Sequence, residues 1–114
     1  MKYMLLIHPG AASAEFEDLP PDRQEAIYGE YMALAQAAEV LDGHQLQPAA
    51  TATTVRVDEG RTLTTDGPFV EIKEALGGYY LCEAADLDAA IELAARIPAA
   101  RMGGAVEVRP IVER

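Results

Sequence analysis

The sequence predicts an α+β domain in which two helices cover one face of an antiparallel sheet. Short apolar or β-branched runs alternate with two segments of helical periodicity, in the order strand, helix, strand, hairpin, strand, helix, strand. The chain has 114 residues, and half of them are apolar, which suits a single domain with one core over residues 1–114. Two interleaved strand–helix–strand units with right-handed crossovers produce such a sheet.

The first half of the chain predicts one strand and one long helix. Residues 2–8 alternate in a way that leaves both faces of a strand largely apolar, and the following proline and glycine end it. Residues 11–19 are interpreted as an acidic loop. A helix is expected at about 21–41, with Gly43 just past its C-terminus. The side chains expected to face the core are Ile27, Tyr31, Leu34, Ala38 and Leu41.

A hairpin follows the first strand–helix–strand unit. Residues 44–47 predict the second strand of that unit. Two β-branched runs, 51–57 and 61–65, flank Asp58-Glu59-Gly60, which is typical of a tight turn containing glycine. Residues 70–76 alternate like a strand but fit an irregular segment equally well.

The last third of the chain repeats the strand–helix–strand order. Residues 77–83 predict a strand, and Asp86 is a favourable N-cap for the helix that Pro98 ends. Residues 99–104 are expected to form a loop, and residues 105–109 predict the last strand. The helix side chains expected to face inward are Leu87, Ile91, Leu93 and Ala94.

The strands at 2–8 and 77–83 have two apolar faces, although helices cover only one face of the sheet. An antiparallel sheet with one face in water should alternate apolar and polar residues. Burying a large apolar side chain stabilises a protein by about 1.5–3 kcal/mol, so leaving several in water would be costly. We therefore expect a second copy of the chain to pack on the helix-free face with twofold symmetry.

The sharpest turn signal is Asp66-Gly67-Pro68-Phe69. Gly67 can adopt positive φ at little cost, and Pro68 fixes its own backbone. Asp66 is either a turn residue that hydrogen-bonds the backbone two residues on, or a carboxylate held at the lip of a cleft. The sequence leaves both interpretations open. We expect a pocket beside this loop, with Gly67, Pro68 and Phe69 among the ligand-binding residues.

His8 and Asp66 are the candidates for acid–base catalysis. Histidine is the usual proton carrier near neutral pH, and a carboxylate can orient the imidazole and stabilise its charged form. A histidine at a strand end is more often simply hydrogen-bonded or solvated. The separation of His8 and Asp66 along the chain neither forbids nor supports their pairing.

Four other polar residues are candidates for ligand binding. Arg56 can hold a substrate carboxylate with two hydrogen bonds, or it can bind a neighbouring acid. Glu71 and Lys73 lie on one side if their segment is extended, which fits either a pocket or a surface ion pair worth about 0–1 kcal/mol. Tyr79 supplies mainly packing area, with a hydroxyl available to a ligand.

Composition argues against several classes of protein. A formal net charge of −10 disfavours nucleic acid or an anionic membrane as a partner. The apolar run at the N-terminus is too short for a signal-peptide core or a membrane helix, so we expect a cytoplasmic protein. Cys82, a lone cysteine in an apolar run, is expected to be buried and inert. No metal-ligand spacing or nucleotide-binding glycine motif occurs, so neither a metal nor a cofactor is expected.

Several short motifs together resemble one known family. They are Lys2-Tyr3-Met4-Leu5-Leu6, Leu46-Gln47-Pro48, Thr51-Ala52-Thr53-Thr54-Val55-Arg56, Thr65-Asp66-Gly67-Pro68-Phe69 with Glu71 and Lys73-Glu74, Leu76-Gly77-Gly78-Tyr79-Tyr80, Arg96-Ile97-Pro98 and Val106-Glu107-Val108-Arg109-Pro110. Over nearly its whole length the chain resembles a DGPF-domain protein of the YCII-related family. The resemblance implies a ferredoxin-like fold that dimerises into an α+β barrel.

The same resemblance implies little about activity. Some relatives in the wider superfamily carry a His–Asp pair with the histidine early in the first helix, but this chain has no histidine between Asp22 and Leu41. Relatives of the DGPF type are often associated with extracytoplasmic-function sigma factors, which implies a regulatory role. Three hypotheses follow: a small-molecule-binding homodimer, a cofactor-free enzyme using His8 and Asp66, and a structural module that binds a partner.

Overall fold

The computed structural model describes residues 1–68 and 76–114. The strands are Lys2–His8 (β1), Val40–Gln45 (β2), Thr53–Asp58 (β3), Arg61–Asp66 (β4), Gly78–Glu83 (β5) and Ala105–Pro110 (β6). The helices are Ala12–Glu17 (α1), Pro21–Ala35 (α2) and Leu87–Ala95 (α3). Single 3-10 turns lie at Ala49–Thr51 and Pro98–Arg101.

Four strands form an antiparallel sheet in the order β2-β5-β1-β6. The central strand β1 pairs on one side with β5, where Leu5 lies opposite Tyr80, and on the other with β6, where Leu5 lies opposite Val108. Without the β3–β4 hairpin, this is the order that two interleaved strand–helix–strand units produce. The predicted ferredoxin-like α+β fold is therefore confirmed.

The core lies between the sheet and the helices. Tyr3 and Leu5 of β1 point to the same side as Tyr80 and Cys82 of β5, and all four are buried. The Tyr80 hydroxyl donates a hydrogen bond to the backbone carbonyl of Tyr31 at 3.1 Å, which joins β5 to α2. Burial raises the pKa of the Cys82 thiol, and the nearby Glu83 charge raises this pKa further. Cys82 is thus the buried thiol that the sequence predicts.

Helix α2 ends at Ala35, well before its predicted end near residue 41. The chain turns after Ala35 because β2 starts at Val40, which pairs with Cys82 in β5. Strand pairing here overrides the helical periodicity of the sequence, as tertiary contacts often do. Gly43 is consequently a strand residue, not the end of a helix, and a Cβ atom there would lie 2.5 Å from the ring of Tyr80.

The predicted loop at 11–19 contains the short helix α1. The backbone N–H of Ala12 donates to the carbonyl of Pro9 at 2.7 Å, and the Ala12 side chain is buried. Phe16 packs edge-on against Tyr28 of α2 with ring centroids 5.2 Å apart. The prediction was wrong because acidity suggested a loop, whereas alanine and glutamate are favourable helix residues.

Helix α3 begins as predicted but buries a different face. The Asp86 side chain accepts a hydrogen bond from the Ala89 backbone N–H at 2.9 Å, which confirms it as the N-cap. Leu93 and Ala94 are buried as expected, together with Ala90. Leu87 and Ile91 were predicted to face inward and are instead about half exposed.

The N-cap gives the first testable prediction. Asp86→Ala is expected to lower the free energy of unfolding by about 0.5–2 kcal/mol, because the Ala89 N–H loses its acceptor. Asp88→Ala is the matched control in the same first turn, since it removes only a charge–dipole interaction of about 0.3–1 kcal/mol. Urea unfolding measures both values. An equal or larger loss for Asp88→Ala would contradict the capping role of Asp86.

The β3–β4 hairpin is built around the predicted turn. Asp58 pairs with Arg61, and the two residues between them, Glu59 and Gly60, have φ values of 49° and 76°. Positive φ at both central positions is typical of a type I′ turn, whose twist matches that of the two paired strands. Strand β3 starts at Thr53 because residues 49–51 form a 3-10 turn, so this strand begins slightly later than predicted.

Candidate functional site

The helix-free face of the sheet has an apolar centre and polar edges. Half-buried side chains from β1 and β5 form the centre: Met4, Leu6, Tyr79 and Leu81. Side chains from the outer strands form the edges: Asp42 and His44 on β2, and Glu107 and Arg109 on β6. The face therefore offers an apolar floor with hydrogen-bonding groups along both sides.

His8 lies on this face at the C-terminal end of β1. Its side chain is only 18% exposed, and Nε2 lies 3.7 Å from Oε1 of Glu107. When the imidazole is protonated, this distance corresponds to an ion pair. His8 and Tyr79 are diagonal neighbours on the face, because Tyr79 lies opposite Leu6, two residues before His8. The structure thus brings together two of the predicted site residues.

Glu107 is a site residue that the sequence analysis missed. Its Oε2 accepts a hydrogen bond from Nε of Arg109 at 2.8 Å and a second one from Nη2 of Arg109. Since Arg109 offsets the charge of Glu107, the carboxylate can orient the imidazole of His8 while adding little net charge to the site. The alternation in residues 105–109 could have placed Glu107 on the other face of the strand from Val106 and Val108. It could not have placed Glu107 beside His8, because that position depends on the pairing of β6 with β1.

A second histidine with a carboxylate neighbour lies on the opposite edge. Nε2 of His44 is 3.4 Å from Oδ1 of Asp42, and both side chains are more than half exposed. The ring of His44 is tilted against Tyr79 with centroids 5.9 Å apart. Tyr79 therefore lies between the two histidines, in the apolar centre of the face.

Asp66 is exposed at the end of β4, where it pairs with Thr53. Its carboxylate cannot accept from the backbone two residues on, because Pro68 has no N–H; the expected turn hydrogen bond is excluded on this ground. The turn is held instead by the Gly67 N–H, which donates to the Ala52 carbonyl at 2.7 Å.

The Thr54 hydroxyl adds a hydrogen bond to the Gly67 carbonyl at 2.8 Å, and Gly67 has φ +97°. Glycine is therefore needed at this turn for its backbone conformation. Among the described residues no ion pair joins Asp66 to His8, whose carboxylate neighbour is Glu107. The His8–Asp66 dyad stays a prediction.

The remaining predicted ligand-binding residues are dispersed. Arg56 is exposed on β3, where it lies opposite Leu63, and Pro68 is exposed after the turn. The predictions for Phe69, Glu71 and Lys73 lie outside the described residues.

A cleft of about 360 Å³ lies elsewhere on the molecule, on the helix side of the sheet. Its lining residues are Glu30, Ala33, Leu34, Arg96 and Arg101. Arg101 is already bound to Glu30 across this cleft. Within residues 1–68 and 76–114, no three His, Cys, Asp or Glu side chains are grouped so that they could hold a metal ion. The helices of these two segments lack the length and apolar character that a bilayer-spanning helix requires.

The fold and the face together define a small α+β protein of the ferredoxin-like class. The chain belongs to the YCII-related domain family, whose model matches residues 1–114. It is also similar to an uncharacterised protein of Rhizobium meliloti (strain 1021), with 43% identity over 68 residues. That similarity covers 59% of this chain and 55% of the relative, so it spans about half the length of the curated protein it matches.

Proposed function

We propose that the protein is a cytoplasmic homodimer that binds a small molecule on the helix-free face, beside the Asp66–Phe69 loop. One observation carries the proposal: the half-buried apolar centre of the face is bordered by two histidines, each within 4 Å of a carboxylate. Small-molecule sites combine an apolar lining with a few polar groups in this way.

The charges of the face indicate the kind of molecule that it suits. Arg109 binds Glu107, and His44 lies next to Asp42, so acids and bases are paired along both edges. A ligand with an apolar body could lie on Leu6 and Tyr79 while a hydrogen-bonding group reaches His8. We therefore propose an amphipathic organic ligand of low net charge.

The homodimer is part of the same proposal. A drug-sized ligand is commonly buried over 70–90% of its surface, which an open sheet face does not achieve alone. A second copy packed against this face with twofold symmetry would cover the ligand and the apolar centre. The resemblance to DGPF proteins further supports a regulatory role connected with extracytoplasmic-function sigma factors.

A cofactor-free enzyme is the second candidate, and the position of His8 favours it. An imidazole that is largely buried beside a carboxylate is the arrangement that general acid–base catalysis uses. In this version His8 moves the proton, and Asp66, at the end of β4, acts on the same substrate.

Native mass spectrometry of the purified protein with a mixture of small organic metabolites tests the proposal. We expect the wild-type dimer to show the added mass of a bound ligand. His8→Ala and Asp66→Asn should each raise the dissociation constant of this ligand at least about tenfold, which corresponds to about 1.4 kcal/mol. The control is Asp88→Asn on the exposed side of α3.

The outcomes separate the hypotheses. Binding that is weakened without any conversion of the ligand supports a binding protein. Conversion that either substitution abolishes supports the enzyme. If neither substitution changes binding or conversion, the helix-free face is not a small-molecule site, and a structural module that binds a partner becomes the better interpretation.

A further inference from the structure

The β3–β4 hairpin, residues 53–66, forms an arm that one chain leaves uncovered. All residues of β4 are exposed, and so are all residues of β3 except Thr54. Val55 and Val57 are 60% and 70% exposed. Among the described residues, the backbone hydrogen bond that lies next to the β3–β4 ladder joins the Gly67 N–H to the Ala52 carbonyl, at the root of the arm.

The two faces of the arm differ in charge. Val55 lies opposite Thr64, and Val57 lies opposite Thr62, so these four side chains share one face and carry no charge. Asp66 is on the same face, but it lies at the root of the arm, opposite Thr53. The other face carries Arg56, Asp58 and Arg61. Beyond its root the hairpin is charged on one face only, which is the pattern of a sheet whose uncharged face packs against something.

The size of the surface indicates that the single chain lacks a partner. Its accessible surface is 8014 Å². A compact monomer of 12.2 kDa should expose about 6,100 Å², so this chain exposes about 1,900 Å² more. Its radius of gyration of 16.0 Å likewise exceeds the value of about 13 Å expected for 114 residues.

An excess of this size is in the range that stable dimers bury. Each partner of a standard protein interface covers about 800 Å², and obligate homodimers cover more. A two-stranded hairpin is also only marginally stable alone in water and needs a surface to pack on. A second copy of the chain can supply such a surface, and it is present wherever the protein is present. With twofold symmetry the contact is reciprocal, because each chain packs its hairpin on the other.

We propose that the β3–β4 arm is a clasp that packs the uncharged outer part of one face, Val55, Val57, Thr62 and Thr64, onto a second copy of this chain. The clasp rests on the homodimer proposed above and adds to it a specific element. Each chain holds its partner with the arm and is held by the arm of the partner, whatever ligand the helix-free face binds.

Val57→Asp tests the clasp, with Val112→Asp as the matched control. Val112 is 72% exposed and lies outside the arm, so both variants lose the same side chain and gain the same charge. Analytical ultracentrifugation over a range of protein concentrations measures the dimer dissociation constant. We expect it to rise at least about 100-fold for Val57→Asp and less than about threefold for Val112→Asp.

A second variant keeps the test decisive if Val57→Asp fails to fold. The chain contains no tryptophan, so Val57→Trp introduces a single indole reporter. We expect its emission to shift to shorter wavelength as the concentration rises through the dissociation constant. An indole that stays in water at concentrations where the protein is dimeric would overturn the clasp.

The ultracentrifugation data separate the clasp from the dimer itself. If the wild type and both aspartate variants dimerise equally well, the homodimer stands and the clasp is wrong. A wild type that stays monomeric at high micromolar concentration would overturn both. An equal loss of dimer in both variants would attribute the effect to charge and would also overturn the clasp.

Discussion

Replacing Gly104 with alanine is expected to lower the free energy of unfolding by about 3 kcal/mol or more. A Cβ atom at Gly104 would lie 2.6 Å from the carbonyl oxygens of both His8 and Pro9, and 3.0 Å from that of Ala99. All three are backbone atoms, so no rotation of a side chain can relieve the contact. The chain must shift at the end of β1, which also positions the imidazole of His8.

Gly29→Ala is the matched control for this substitution. Gly29 lies in α2, and nothing comes within 4 Å of the position that its Cβ would occupy. Alanine is favoured over glycine in a helix by about 0.5–1 kcal/mol, so this variant should be more stable than the wild type. Urea unfolding should therefore show opposite signs for the two substitutions. A tolerated Gly104→Ala would mean that the ends of β1 and β6 are not held together as closely as described.

The alternation of side chains predicts most of the sheet correctly. In residues 2–8 and 77–83 the alternation separates two apolar faces, and the structure shows which of them is buried, the one with Tyr3, Leu5, Tyr80 and Cys82. Strand positions follow from a two-residue repeat that depends on local sequence alone. The order β2-β5-β1-β6 then follows from the sequence of elements and the handedness of crossovers.

The helix boundaries could not be obtained in the same way. The apolar residues of 21–41 continue the helical repeat past Ala35, and only the pairing of Val40 with Cys82 ends it. The inward face of α3 was misjudged as well. The helix presents Ala90, Leu93 and Ala94 to the core, whereas Leu87 and Ile91 remain about half exposed.

The candidate site was only partly predictable. His8 and Tyr79 could be identified because each lies in a strand whose two faces are apolar. Glu107 and Asp42 could not, because their positions next to His8 and His44 depend on strand register and local geometry. Asp66 cannot make the hydrogen bond on which its interpretation as a turn residue depended, because Pro68 has no N–H to donate to its carboxylate. Asp66 is exposed, and its place in a pocket stays a prediction.

The misjudged face of α3 provides the second large effect. Ile97 is fully buried beside the helix end, whereas Ile91 is 48% exposed on the outer side of α3. Ile97→Ala should lower the free energy of unfolding by about 2–5 kcal/mol, since it removes buried methyl groups and leaves a cavity. Ile91→Ala should change it by less than about 1 kcal/mol, because the lost contacts are few and alanine favours the helix.

Urea unfolding of both isoleucine variants, at one protein concentration, gives the comparison. Because the substitutions are chemically identical, the difference between them reports mainly burial, with a smaller contribution from the helix propensity of alanine at position 91. A loss at Ile91 as large as that at Ile97 would contradict the exposed position of Ile91. It would mean that the outer side of α3 is covered, and that the proposed interface between copies has to extend beyond the helix-free face and the arm. A small loss at Ile91 with a large loss at Ile97 is the result that the proposed interface predicts, since that interface involves the apolar centre of the sheet and the β3–β4 arm and leaves the outer side of α3 in water.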